Sequence, residues 1–227
     1  MRYTETNPRL PIHFEDDHLL LINKPAGVLS QGDRTGDPDV VSLCKKYLSQ
    51  PGTSAHPPFV GPVHRLDRPV SGLMLVAKTS NAASQLSKQV QNRTIQKTYR
   101  AVVQGEAPAN GMLVHHLKKD RTRNIVQAVK PGISKAKRAE LSFVCLSAKE
   151  KLTLLSVHLQ TGRSHQIRVQ LAEENYPVWG DYKYGAAQPD GREIALQAAE
   201  LVFEHPFSEK RLKYELDLPE WEPWNQF

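Results

Sequence analysis

Apolar residues in this chain come in short runs, and that constrains the fold most. Ile12–Phe14, Leu19–Ile22, Leu73–Ala77, Leu141–Leu146, Leu152–Leu159 and Leu212–Leu216 have strand length. Residues 95–104 alternate well enough for another strand, and Ile194–Phe203 is mostly apolar. No run approaches the ~20 apolar residues of a spanning helix. Helical spacing occurs in three places. Val40, Val41, Cys44 and Leu48 share one helix face, closed by Pro51-Gly52. Ala82, Leu86 and Val90 share a second, with Ser80 or Asn81 as cap. Ile167, Leu171 and Ala172 share a third, in a helix capped by Ser164 and closed at Tyr176-Pro177. Strands that follow one another, with helices interspersed, predict an α+β fold with a mixed, mostly antiparallel sheet.

With 227 residues the chain can bury a core without covalent staples. Residues 1–11 are polar with two prolines and read as an extended arm. They lack an apolar core and a small-residue cleavage site, so no secretory signal is expected. Cys44 and Cys145 are too few for a disulfide scaffold or a zinc site, and read as buried reduced thiols of a cytoplasmic protein. Nine histidines invite a metal reading, but no HExxH or Cys/His ligand spacing exists. His115 and His116 are adjacent, and on a strand their side chains point apart. No metal and no membrane partner is expected. Neither common glycine-rich phosphate loop is present, nor a G-x-S-x-G nucleophile elbow.

The net charge is +6. Residues 115–138 alone carry Lys118, Lys119, Arg121, Arg123, Lys130, Lys135, Lys137 and Arg138 against Asp120, a net +7. Low apolar content and a Pro131-Gly132 break predict a protruding basic hairpin or loop. The rest of the chain is close to neutral, so the charge describes one cationic arm suited to a polyanion.

Two segments could carry chemistry. In His64-Arg65-Leu66-Asp67-Arg68-Pro69-Val70-Ser71-Gly72, the Asp67 carboxylate stands among arginines. In an extended segment Arg65 and Asp67 share a face and Leu66 takes the other. Guanidinium neighbours favour an ionised carboxylate, which suits a nucleophile or base and does not suit an acid. From spacing alone an ordinary salt-bridged turn is the commoner reading. Thr161–Arg168 leads from a strand into a helix, with Arg163 and Arg168 around its N-terminus. Free N–H groups and a guanidinium there could bind an anion or pin a carboxylate. A capped surface helix with solvated arginines is the plainer alternative. Tyr99 lies on a strand, where it is core or a surface on which a base can stack.

These segments together resemble the RluA-type pseudouridine synthase family. The resemblance runs in family order from about residue 12 to residue 218. It rests on NKPAGV (Asn23–Val28), HRLDRPVSG (His64–Gly72), Lys97-x-Tyr99-x-Ala101, LQTGRSHQIRVQL (Leu159–Leu171) and PVWGDYKYG (Pro177–Gly185). It implies one catalytic domain over 12–218, after an arm at 1–11 and before a tail at 219–227. It also implies a pseudouridine synthase fold with flanking helices and a central RNA cleft. The activity implied is isomerisation of uridine in ribosomal or transfer RNA, with no cofactor. Asp67 matches the catalytic aspartate, Tyr99 the tyrosine that stacks on the target base, and Arg168 the arginine that pairs with the aspartate. His64, Arg65, Arg68, Arg163 and His165, with Lys118, Lys119, Arg121 and Arg123, are expected to bind the RNA.

Val70, Gln170 and Gln197 stand where the family commonly has Thr, His and His. These departures spare the three catalytic positions. The pattern leaves no room for an accessory N-terminal RNA-binding domain, and a monomer is expected. Two rival readings remain at this stage: a non-catalytic RNA-binding or ribosome-assembly module on the same fold, and an Asp-based glycosidase. The second needs another positioned carboxylate, which the two signatures lack.

Overall fold

The computed structural model describes residues 10–49, 57–186 and 193–227. Residues 1–9 of the predicted arm, and the Pro51-Gly52 helix stop, lie outside the described residues. The chain forms two compact units. One takes residues up to Lys97 with Ala198–Leu216; the other takes Thr98–Gln197 with Asp217–Phe227.

In the first unit, β1 (Ile12–Glu15) and β2 (Leu19–Lys24) form a hairpin. Asp16 closes its turn by accepting the amides of His18 and Leu19, each at 2.7 Å. The polar loop after β2 ends at Asp39, whose carboxylate accepts the amides of Val41 and Ser42 and so starts α1 (Val40–Leu48). β3 (Gly61–Pro62) and β4 (Ser71–Ala77) follow, then α2 (Ser80–Gln91). β10 (Leu196–Glu204) lies beside β4, and β11 (Arg211–Glu215) pairs with β10. The order is β1-β2-β4-β10, with β3 also on β4. Leu19, Leu21, Leu73 and Leu75 pack with Leu86 of α2 and with Phe203. Their strand neighbours Leu20, Ile22, Met74 and Val76 are also fully buried, which explains the unbroken apolar runs. Gly72 has φ +121°, and a Cβ there would meet the Ala198 carbonyl oxygen at 2.4 Å. Only glycine lets β4 start this close to β10.

The cap of α2 is Thr79, not Ser80 or Asn81. Thr79 has the extended backbone a cap requires, and its hydroxyl accepts the Ala82 amide. Val90, in the last turn, is exposed.

In the second unit, β5 (Gln96–Gln104), β6 (Asn110–Asp120), β7 (Ile125–Val129), β8 (Lys137–Lys149) and β9 (Leu152–Leu159) run in the order β5-β9-β8-β6-β7. Each neighbouring pair is antiparallel. α3 (Gln166–Glu173) covers one face through Val169, which packs on Leu117, Val126 and Ala139. The tail is folded here: Trp224 is buried with Val102 and Leu154, and Trp221 lies against Trp179. The predicted α+β class with mostly antiparallel strands is observed. Cys44 is buried, and burial pushes its thiol up to about 12; Cys145 is only half-buried. No helix among the described residues is long and apolar enough to cross a membrane.

Candidate active site

The Asp67 segment sits in the first unit, in a loop between β3 and β4 that main-chain bonds hold on both sides. Before Asp67, the Ser30 hydroxyl donates to the Leu66 carbonyl at 2.7 Å and accepts the Leu66 amide at 2.9 Å. After it, the Arg68 carbonyl accepts the Gly27 amide at 2.8 Å. Lys24 is fully buried, and its ammonium donates to the carbonyls of Pro25, Val28 and Arg68 at 2.8, 2.8 and 3.3 Å. The NKPAGV turn therefore carries the HRLD loop. Gly27, with φ +85°, provides the turn. Leu66 is buried, Arg65 is exposed and Asp67 is half-buried, the alternation an extended segment predicts.

The neighbouring candidates are fixed within this loop. Arg68 donates from Nε to the Gly27 carbonyl at 3.0 Å and pairs with Asp37 at 2.8 Å. His64 is buried, and its Nε2 accepts the Leu75 amide at 3.1 Å. Burial, and then the charge of Lys97, hold its imidazole down at about 3, so it is neutral. Burial also lowers Lys97 from the ordinary lysine range. Val70 is buried and donates its amide to the Asp67 carbonyl at 3.0 Å.

Arg168 sits in the second unit, inside α3 and buried. Its Nε and Nη2 donate to the two carboxylate oxygens of Asp181 at 2.5 and 2.7 Å, with Asp181 itself 1% exposed. The guanidinium carbon lies 5.1 Å from the centre of the Tyr184 ring, a cation–π contact. Tyr184 Oη is 2.6 Å from His165 Nδ1 and accepts the Val126 amide at 3.0 Å. A buried, bidentate guanidinium with an aromatic floor has a fixed orientation.

The helix does not start on a Ser164 cap. His165 takes that place with φ +52° and no side-chain capping bond. The Gln166 side chain orders the turn instead. Its Oε1 accepts the Thr161 hydroxyl at 2.8 Å and the Arg163 amide at 2.9 Å, and its Nε2 donates to the Glu140 carbonyl at 3.0 Å. Arg163 donates from Nε to the Arg138 carbonyl at 3.0 Å. Gln170 is fully buried and donates to the Leu113 carbonyl at 3.1 Å, tying α3 to β6. Gln197 is buried and donates to the Asp217 carbonyl at 3.2 Å. Both glutamines, two of the three departures from the family pattern, thus hold structure together.

Tyr99 is buried on β5 opposite Val157, which in turn lies opposite Phe143 on β8. Alternation along β8 puts Phe143 and Ala139 on one face, so Tyr99 faces the α3 side of this sheet. The basic stretch is a hairpin of β6 and β7, as predicted, with Lys118, Lys119, Arg121 and Arg123 all exposed. Sequence reasoning did not single out Lys24 and Ser30, which hold the Asp67 loop, or Asp181 and Tyr184, which hold Arg168. Three of these lie in segments already singled out, NKPAGV and PVWGDYKYG, which were read only as family markers. Among the described residues no group of three or more His, Cys, Asp or Glu is placed to hold a metal ion.

Comparison with known proteins bears on the family and the fold. The model of the RNA pseudouridylate synthase family matches residues 18–173. Ribosomal large subunit pseudouridine synthase D of Neisseria meningitidis is 34% identical over 231 residues, covering 93% of this chain and 59% of its own length. The chain therefore spans about three-fifths of that relative. The protein of the same name from Zymomonas mobilis is 33% identical, covering 93% of this chain and 70% of its own length. A solved structure, human RNA pseudouridylate synthase domain containing 4, superposes with a TM-score of 0.75 over 92% of this chain and 88% of that one, at 23% identity. That likeness shows the fold. On the family match and the relatives together, the chain belongs to the RNA pseudouridylate synthase family.

Proposed function

We propose that this protein isomerises uridine to pseudouridine within RNA, and that Asp67 is the reacting carboxylate. The observation that carries the reading is the Asp67 loop: a half-buried carboxylate with its main chain clamped by Ser30 before it and by Lys24 and Gly27 after it. Such clamping suits a group that must hold one position through a reaction. In that reaction the bond between uracil N1 and the sugar breaks, the base turns while bound, and carbon 5 bonds to the sugar. Carbon 5 loses a proton and N1 gains one. Nothing is oxidised, so the reaction calls for no cofactor. Asp67 either attacks the sugar or removes a sugar proton, and both routes fit an ionised carboxylate.

The family motifs give Arg168 the role of guanidinium partner and Tyr99 that of base-stacking aromatic. A stacked uridine is out of reach, so the target flips out at a cost of a few kcal/mol. An aromatic ring returns ~1–3 kcal/mol of stacking. Exposed Lys118, Lys119, Arg121 and Arg123 supply salt-sensitive, sequence-independent grip, and Arg65 is an exposed cation beside Asp67. Because relatives are named for the large ribosomal subunit, ribosomal RNA is the proposed substrate class.

The test uses RNA tritiated at uracil carbon 5. The wild-type protein is expected to release tritium to water. RNA binding without release from ribosomal or transfer RNA would support the rival reading, a non-catalytic RNA-binding module.

A further inference from the structure

We propose that the turn Tyr182–Tyr184 couples the basic hairpin to Arg168, with Tyr184 as a positioning residue for the reaction. The inference rests on the reading above and deepens it: RNA held by the hairpin cations acts on the orientation of the arginine.

On one side, the turn grips the hairpin by its main chain. Tyr184 Oη accepts the amide of Val126, a residue of the edge strand β7. Lys183 Nζ donates to the carbonyl of Asn124 at 3.2 Å. Asn124 ends the turn that carries Arg121 and Arg123, and has φ +51°. On the other side, the same turn holds Arg168. Asp181 takes two of its N–H groups, and the Tyr184 ring lies under its guanidinium. The turn is short and internally bonded: the amides of Tyr184 and Ala186 donate to the Asp181 carbonyl at 3.0 and 3.1 Å. A displacement of Val126 therefore reaches Arg168 through a single side chain, with Asp181 carried along by the backbone.

A tyrosine here for packing alone would need only its ring. The ring does pack with the cluster of Leu117, Val126, Ala139 and Val169. Its hydroxyl is bonded on both sides, to a strand amide and to His165, whose left-handed backbone starts the helix that carries Arg168. Tyr184 is half-buried, and the two bonds of its hydroxyl fix which way the ring faces. Discrete bonds between packed elements are what transmit a shift rather than absorb it.

The experiment is a double-mutant cycle on turnover at saturating RNA. One arm is Tyr184→Phe, which keeps the ring and loses both hydroxyl bonds. The other arm is Arg121→Gln with Arg123→Gln. Tyr184→Phe is expected to lower kcat by about tenfold to a hundredfold, with KM changed much less. Neutralising the hairpin tip is expected to lower kcat as well as affinity in the wild type, but only affinity in the Tyr184→Phe background. If the two effects on kcat simply multiply, the coupling is refuted. Lys183→Met, at an exposed residue, serves if Tyr184→Phe does not fold, with a smaller effect in the same pattern. A second readout is independent of turnover: the Arg168 Nε–H resonance in a nitrogen-15 spectrum. Added RNA is expected to shift it in the wild type and not in Tyr184→Phe. A shift that persists in the variant overturns the link. A wild-type shift lost in the variant, with no tritium release, upholds the link and refutes the isomerase reading.

Discussion

The loop around Asp67 and the helix that carries Arg168 are held by different kinds of bond. The loop is held at its own main-chain groups: the amide and carbonyl of Leu66 by the Ser30 hydroxyl, the carbonyl of Arg68 by the Lys24 ammonium and the Gly27 amide. The neutral bonds among these contribute about 1 kcal/mol each and the bond from Lys24 more, and they act in parallel. Arg168 depends on side chains, above all the single carboxylate of Asp181 and the ring of Tyr184. Redundant main-chain bonds tolerate the loss of one member. A buried ion pair does not, because the surviving charge stays in a dry site.

The contrast is broken most directly by Asp181→Asn. Loss of the charge is expected to cost about 3–5 kcal/mol, the usual result of removing one partner of a buried pair, read as a lower urea midpoint. A cost below 1 kcal/mol would show that Arg168 does not rely on Asp181. Lys24→Met comes next. It removes a buried ammonium from three carbonyls, and about 2–3 kcal/mol is expected for charge-assisted bonds. Urea unfolding with the cost equal to that of Asp181→Asn would erase the distinction between the regions. Ser30→Ala is the mildest of the three, at about 1–2 kcal/mol, with measurable turnover retained. Complete loss of turnover in a stable Ser30→Ala protein would show that the loop's clamps are not redundant.

A further effect appears only as the pH falls. His64 is neutral in the fold, held near 3, while an unfolded imidazole titrates near 6.5. As pH falls below 6.5 the unfolded chain binds a proton that the fold refuses, so stability falls with pH across that window. The slope approaches about 1.4 kcal/mol per pH unit for one proton. Denaturation of the wild type and His64→Gln at several pH values measures this; an equal slope in both would remove His64 from the account.

Much of the fold was legible because its signals are local. The residues of α1 show helical spacing, and the charge of residues 115–138 marks the basic β6–β7 hairpin, although its turn falls at 121–124 and not at Pro131-Gly132. Cap positions were harder. Thr79 and Ser80 both satisfy the composition rule, and only the extended backbone at Thr79 decides between them. The start of α3 escaped because a glutamine side chain and a left-handed histidine replace the usual hydroxyl cap. Asp67 and Arg168 were legible as members of signatures. Asp181 and Lys24 were not, since neither has a sequence neighbour that announces a buried charge. Asp181 meets its arginine thirteen positions away through folding. Lys24 is buried only because three carbonyls converge on it, a property of the turn and not of the residue type.

Asp67 is the proposed reacting carboxylate of the isomerisation. The most direct measurement is nucleoside analysis of ribosomal RNA after incubation with the purified protein, wild type against Asp67→Asn. Pseudouridine is expected to form in step with uridine loss for the wild type, whereas Asp67→Asn is expected to bind the same RNA and form none. Pseudouridine made at an undiminished rate by Asp67→Asn would contradict that role.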